Sequence, residues 1–116
     1  VGLGSDEVIE MPFLFEGTNS GLVAYNPGTV NSLVFGDTIV IPDPFGPSID
    51  GKDGFRVDLE ARLGSGVNGL GLDGDGLAVY FADNWDLYHV LLGEVHCGTN
   101  ISGPPQNEIP WWEATP

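Results

Sequence analysis

Apolar positions along this chain follow two different rhythms. From Glu7 to Phe15 (EVIEMPFLF) the residues are largely apolar and broken by Pro12, which predicts a strand at a sheet edge or one that is interrupted. Residues 16–28 are rich in Gly, Asn and Pro and predict loop and turn, with Leu22–Tyr25 a candidate short strand inside it. Two β-branched runs, Val30–Phe35 and Thr38–Pro42, flank Gly36-Asp37 and predict a hairpin. The prolines of Asp43-Pro44-Phe45-Gly46-Pro47 then hold the chain extended, because each pushes its predecessor out of helical space.

From Asp53 the rhythm changes to four. Phe55, Leu59 and Leu63 are separated by polar Asp58, Glu60 and Arg62, the spacing of an amphipathic helix over 53–63. An acidic residue near its start suits the macrodipole, and Gly64-Ser65-Gly66 predicts its end. Residues 70–76 are a glycine and aspartate turn region, Leu77–Ala82 a strand, and Asp83–Leu91 a turn or short helix. The order is strand, hairpin, helix, strand, so the expected class is α/β or α+β, built on a ββαβ unit.

Composition narrows the function classes. A chain of 116 residues holds one domain with a modest core. Three Lys and Arg against 17 Asp and Glu, a net charge of −14, exclude a general affinity for nucleic acid and disfavour anionic membrane surfaces. The same imbalance suits a cationic partner such as a guanidinium, an ammonium or a divalent metal, although acidity also simply favours solubility. One cysteine forms no internal disulfide. No basic n-region or apolar h-region opens the chain, so no signal peptide is visible, and without an initiator methionine it reads as part of something longer.

The candidate chemistry lies in Leu92–Asn100 (LGEVHCGTN), which holds the single cysteine, Cys97, beside His96 and between Gly93 and Gly98. Those glycines are expected to let the backbone turn tightly and present the thiol. A thiol becomes a nucleophile when a cation, a helix N-terminus or a base lowers its pKa. His96 is next in sequence, yet adjacent side chains often point apart. Asp73-Gly74-Asp75-Gly76 invites a calcium reading, but its spacing does not complete an EF-hand loop, so a turn is the expectation. Asn100-Ile101-Ser102 is a formal glycosylation sequon, discounted because modification there would crowd the reactive loop.

Three stretches in register resemble the protein-arginine deiminases: Val40–Pro47 (VIPDPFGP), the nucleophile-like Gly93–Asn100 (GEVHCGTN), and Trp111-Trp112 near the C-terminus. Asn31–Gly36 (NSLVFG) and Val8–Pro12 (VIEMP) add weaker matches in the same order. The resemblance implies that residues 1–116 are a C-terminal fragment of the catalytic domain. That domain would be a five-fold α/β propeller of the pentein type, of which this chain would form roughly one and a half ββαβ blades. It further implies hydrolysis of peptidyl-arginine to peptidyl-citrulline and ammonia, dependence on calcium, a cytoplasmic setting, and arginine-containing proteins or peptides as substrates. Cys97 then matches the nucleophile, with His96 and Glu94 as candidate pocket residues. Glu94 is otherwise a solvated loop carboxylate, and His89 is expected to be structural. The family's acid/base histidine, guanidinium-binding aspartates and calcium ligands match nothing in this chain and are expected upstream. The chain departs from the family where vertebrate members read Y-H-I-R-H-G-E-V-H-C: Leu91 and Leu92 stand in place of the arginine and the second histidine. That puts peptide recognition in doubt and suggests a distant, microbial branch. Two rival classes are a Cys–His hydrolase using Cys97 with His89 or His96, and a non-catalytic acidic binding module.

Overall fold

The computed structural model describes residues 2–4, 8–100 and 102, so Trp111-Trp112 and part of the sequon lie outside the described residues. A hairpin comes first, with β1 (Phe15–Thr18) antiparallel to β2 (Gly21–Ala24) and Phe15 paired with Ala24. This differs from the sequence expectation, since residues 8–14 form no strand. Pro12 has no N–H to give a ladder, and the segment is tied sideways instead. The Thr29 hydroxyl donates to Pro12 O at 3.1 Å, and Leu14 N–H donates to Asn26 Oδ1 at 2.8 Å.

The predicted ββαβ unit is present. Strands β3 (Leu33–Phe35) and β4 (Thr38–Pro42) form a hairpin around Gly36, whose φ of 55° lies in the left-handed region that glycine adopts freely. A small hairpin of β5 (Ser48–Ile49) and β6 (Lys52–Asp53) follows, turning through Asp50-Gly51. Helix α1 (Gly54–Leu63) then crosses over to β7 (Ala78–Ala82), which pairs parallel with β4 from Thr38↔Ala78 to Pro42↔Ala82. The order β3-β4-β7 gives a three-stranded mixed sheet. Together these elements form a small α+β unit with several sheets and one α-helix.

The core sits between this sheet and the helix. Ile39 and Ile41 alternate onto one face, as the two-residue strand period requires, and meet Leu59 and Leu63, one helical turn apart. Leu77 completes the cluster, with Met11, Leu70, Val79 and Phe81 packed around it. Phe55 is only half-buried, so the apolar stripe is narrower than its spacing implied.

Asp53 fixes where the helix begins. Its carboxylate accepts from the Phe55 and Arg56 amides at 2.8 and 3.0 Å, and from Gly46 N–H at 2.6 Å. Gly46 has no room for a side chain, because a Cβ there would lie 2.6 Å from both Asp53 Oδ1 and the Phe55 ring. Asp53 therefore joins the proline-rich segment to the helix N-terminus. Replacing it with alanine is expected to cost about 1–2 kcal/mol, read as a lower midpoint in urea unfolding. A midpoint unchanged from the parent would show that the cap contributes nothing.

Candidate functional site

The segment after β7 folds back over the sheet face opposite the helix. Val40, Ala82, Tyr88, Val95 and Gly98 line one small cavity there, which places residues 93–99 near the carboxyl ends of the parallel pair β4 and β7. Two short 3-10 turns shape the segment, His89–Leu91 and His96–Gly98. The first answers the expectation of a turn or short helix over 83–91. Between them the chain reverses at Leu92, whose φ of 64° is the left-handed conformation expected of a glycine. Gly93 and Gly98 are not in that region, so the anticipated reason for them is corrected. Gly98 gives clearance, since a Cβ there would come within 2.6 Å of the Tyr88 ring, whereas one on Gly93 would make only ordinary contacts with Tyr88 and Cys97 Cβ.

Cys97 is solvent-exposed. Its side-chain partner among the described residues is Asn31, with Asn31 Nδ2 3.5 Å from Sγ. The thiol is held below its ordinary pKa, first by a backbone hydrogen bond from Glu94 and then by the Asn31 side chain, against desolvation and the negative charge of Glu94. Asn31 belongs to a turn before β3, not to the strand its sequence suggested. Its N–H donates to Gly28 O at 2.9 Å, and the strand begins at Leu33. His96 N–H meets both Asn31 Oδ1 at 3.0 Å and Asn31 O at 3.2 Å. His96 is exposed and anchors the loop through its main chain.

Glu94 is not solvated, which corrects the sequence reading of a solvated loop carboxylate. It is buried, and its carboxylate joins three separate segments. Oε1 accepts from Gly28 N–H at 3.1 Å and lies 2.9 Å from His89 Nδ1, while Oε2 accepts from Asn84 Nδ2 at 2.6 Å. His89 is structural, as expected. It is buried, its Nε2 lies 3.3 Å from Tyr25 O, and its ring packs 4.8 Å from Trp85. Its two nitrogens face Glu94 and Tyr25 rather than the thiol, so a Cys97–His89 pair does not form. Asn31, Gly28 and Asn84 were missed as site residues; Asn31 could have been suspected from the matching NSLVFG stretch.

Leu91 and Leu92 are 77% and 81% exposed, on the same loop as the thiol. The Asp73–Gly76 region is a turn: Asp73 Oδ1 accepts from Asp75 N–H, and Gly69 N–H donates to Gly74 O at 2.8 Å. Among the described residues no three His, Cys, Asp or Glu side chains gather to hold a metal ion. No helix among the described residues is long and apolar enough to cross a membrane.

An exposed, acidified thiol on a loop after a ββαβ unit defines a thiol-bearing α+β protein, and comparison with known proteins makes the assignment specific. The family model for protein-arginine deiminase matches residues 1–113. The whole chain aligns at 40% identity with protein-arginine deiminase type-3 of Rattus norvegicus, 37% with type-1 of Mus musculus, and 38% with type-4 of Homo sapiens. The chain belongs to the protein-arginine deiminase family. It spans about 16% of the length of these relatives.

Proposed function

We propose that this chain supplies the nucleophile loop of a protein-arginine deiminase and forms a C-terminal part of its catalytic domain. The observation that carries this reading is the exposed Cys97 thiol, held by Asn31 and lowered in pKa, within a chain of this family. The substrate class is an arginine in a protein or peptide, and the strong acidity of the chain suits so cationic a group.

In this mechanism the Cys97 thiolate attacks the guanidinium carbon, and a C–S bond forms as one C=N bond becomes single. A proton passes to one terminal nitrogen, the C–N bond breaks, and ammonia leaves. The remaining S-alkylthiouronium is attacked by water, the C–S bond breaks, and citrulline forms as the thiolate returns and the two water protons pass to the acid/base group and the solvent. The acid/base group and the carboxylates that grip the guanidinium are assigned to the rest of the protein, as are the calcium ligands. The pentein propeller belongs to the same reading, with this chain as part of its ring. Exposed apolar side chains such as Leu22 and Leu72, 74% and 83% exposed, provide surface for the remaining blades to cover. His96 stands at the pocket wall, a cytoplasmic setting follows from the family, and Glu94 acts on the loop from behind.

The test is covalent trapping of the full-length protein, with calcium, by a haloacetamidine mimic of arginine. The expected result is an adduct on Cys97 that arginine-containing peptide suppresses. An acidic binding module would give no adduct, and a Cys–His hydrolase would show no preference for the amidine over a simple haloacetamide; either result overturns the proposal. The isolated chain is expected to form no citrulline above a Cys97→Ala control, because the other reacting groups are not in it. Turnover above that control would refute the division of the site.

A further inference from the structure

Among the described residues the thiol has one side-chain neighbour that hydrogen-bonds it, and that neighbour comes from 66 residues earlier in the chain. We propose that Asn31 is the positioning residue of the nucleophile: its carboxamide NH2 donates to the Cys97 thiolate, while its carbonyl oxygen holds the His96 amide and so fixes the loop that carries the sulfur. The inference deepens the deiminase reading and rests on it for the role of Cys97.

The geometry suits one amide doing two tasks. Asn31 Nδ2 is 3.5 Å from Sγ, and Asn31 Oδ1 is 3.0 Å from His96 N, the residue next to the cysteine. In the thiol form Sγ can donate towards Oδ1 at 3.9 Å; in the thiolate form it can accept from Nδ2. Hydrogen bonds to a charged acceptor are the stronger ones, so the pair favours the thiolate. A carboxylate could not replace the amide, since it would keep the acceptor for His96 and set an anion against the sulfur.

Asn31 is itself held from behind. Its N–H is bonded to Gly28 O, and Gly28 N–H is bonded to the buried Glu94 carboxylate. The 28–31 turn and the 94–97 turn are thus locked together at two places, Glu94 with Gly28 and Asn31 with residues 96 and 97. The other titratable groups around the thiol are placed differently. Glu94 turns its carboxylate to Gly28, Asn84 and His89; Tyr88 lies over Gly98; His96 is adjacent in sequence. None of these side chains donates to Sγ among the described residues, which leaves Asn31 in that role.

The test is the pH dependence of Cys97 alkylation by iodoacetamide in the full-length protein, followed by mass spectrometry of the Cys97 peptide, for the parent, Asn31→Asp and Asn31→Ala. Asn31→Asp is expected to move the alkylation midpoint up by about one pH unit or more and to slow reaction near neutral pH by about tenfold, with Asn31→Ala shifted less. Equal shifts in the two variants would mean that Asn31 acts only by holding the loop, and would overturn the proposal. A midpoint for Asn31→Asp equal to the parent's would overturn it also. Circular dichroism of each variant identifies one that has not folded, and Asn31→Gln then replaces it: its amide can still donate, so a midpoint nearer the parent's than to that of the folded variant supports the proposal and the reverse overturns it. Alkylation needs no arginine substrate, so the two readings fail separately. A shifted midpoint without citrulline formation would sink the deiminase reading, and citrulline formation with an unshifted midpoint would sink only the role of Asn31.

Discussion

Replacing Cys97 with serine is expected to abolish citrulline formation by the full-length protein, a loss on the order of 10⁴-fold or more, while leaving its unfolding midpoint unchanged. The expected loss is large because a hydroxyl ionises far above neutral pH, so hydrogen bonds that draw a thiol towards thiolate leave it protonated. His96 anchors the loop through its main chain, and the His89 ring is engaged by Glu94 and Tyr25. The thiol needs less help, since the Glu94 backbone and the Asn31 amide already draw its pKa down. Lowering a thiol's pKa towards neutrality raises the thiolate fraction at neutral pH, so the alkylation rate of the parent should level off at lower pH than that of a free cysteine. Stability should not change because the side chain is exposed and fills no core space. Substantial turnover by the serine variant in a citrulline assay would remove Cys97 from the mechanism.

Glu94→Ala is the second large effect, and it acts on stability first. The change leaves Gly28 N–H, the Asn84 amide and His89 without their acceptor, all in buried surroundings. Breaking a buried charge-bearing network by removing one member costs about 3–5 kcal/mol, so the urea midpoint should fall well below that of Asp53→Ala. Glu94→Gln has the same size and retains one acceptor oxygen, so it should lose less, about 1–3 kcal/mol. Both variants should also lose the fixed spacing between the 28–31 and 94–97 turns, and with it the early alkylation of Cys97. A Glu94→Ala protein as stable as its parent would show that the buried carboxylate is replaced by water and holds nothing together.

Much of the frame was legible in the residues. The fourfold spacing of Phe55, Leu59 and Leu63 located the helix, because burial on one side of a helix repeats near that interval. The Gly36-Asp37 break and the runs around it located the β3–β4 hairpin, and Leu77–Ala82 located β7 to within one residue. What failed did so for physical reasons. Residues 8–14 are apolar enough for a strand, but Pro12 offers no ladder donor and side chains from Asn26 and Thr29 took the backbone groups instead. The short β5–β6 hairpin at Asp50-Gly51 was hidden by the prolines before it.

The site divides in the same way. Sequence by itself singled out Cys97 as the candidate thiol, because one cysteine in a glycine-bracketed loop, matched by stretches in register, left no competing thiol. It also determined the family and the ββαβ order. Tertiary structure alone decided what surrounds that thiol. Glu94, which read as a solvated loop carboxylate, is buried because Gly28 from 66 residues earlier converges on it with Asn84 and His89 from the preceding segment. Asn31, which read as part of a strand, is the partner of Cys97 because the turn at 28–31 lifts it out of the ladder and towards the loop. Contacts between residues 66 apart leave no periodic mark on the sequence. Only closing the chain over the sheet brings the amide to the sulfur.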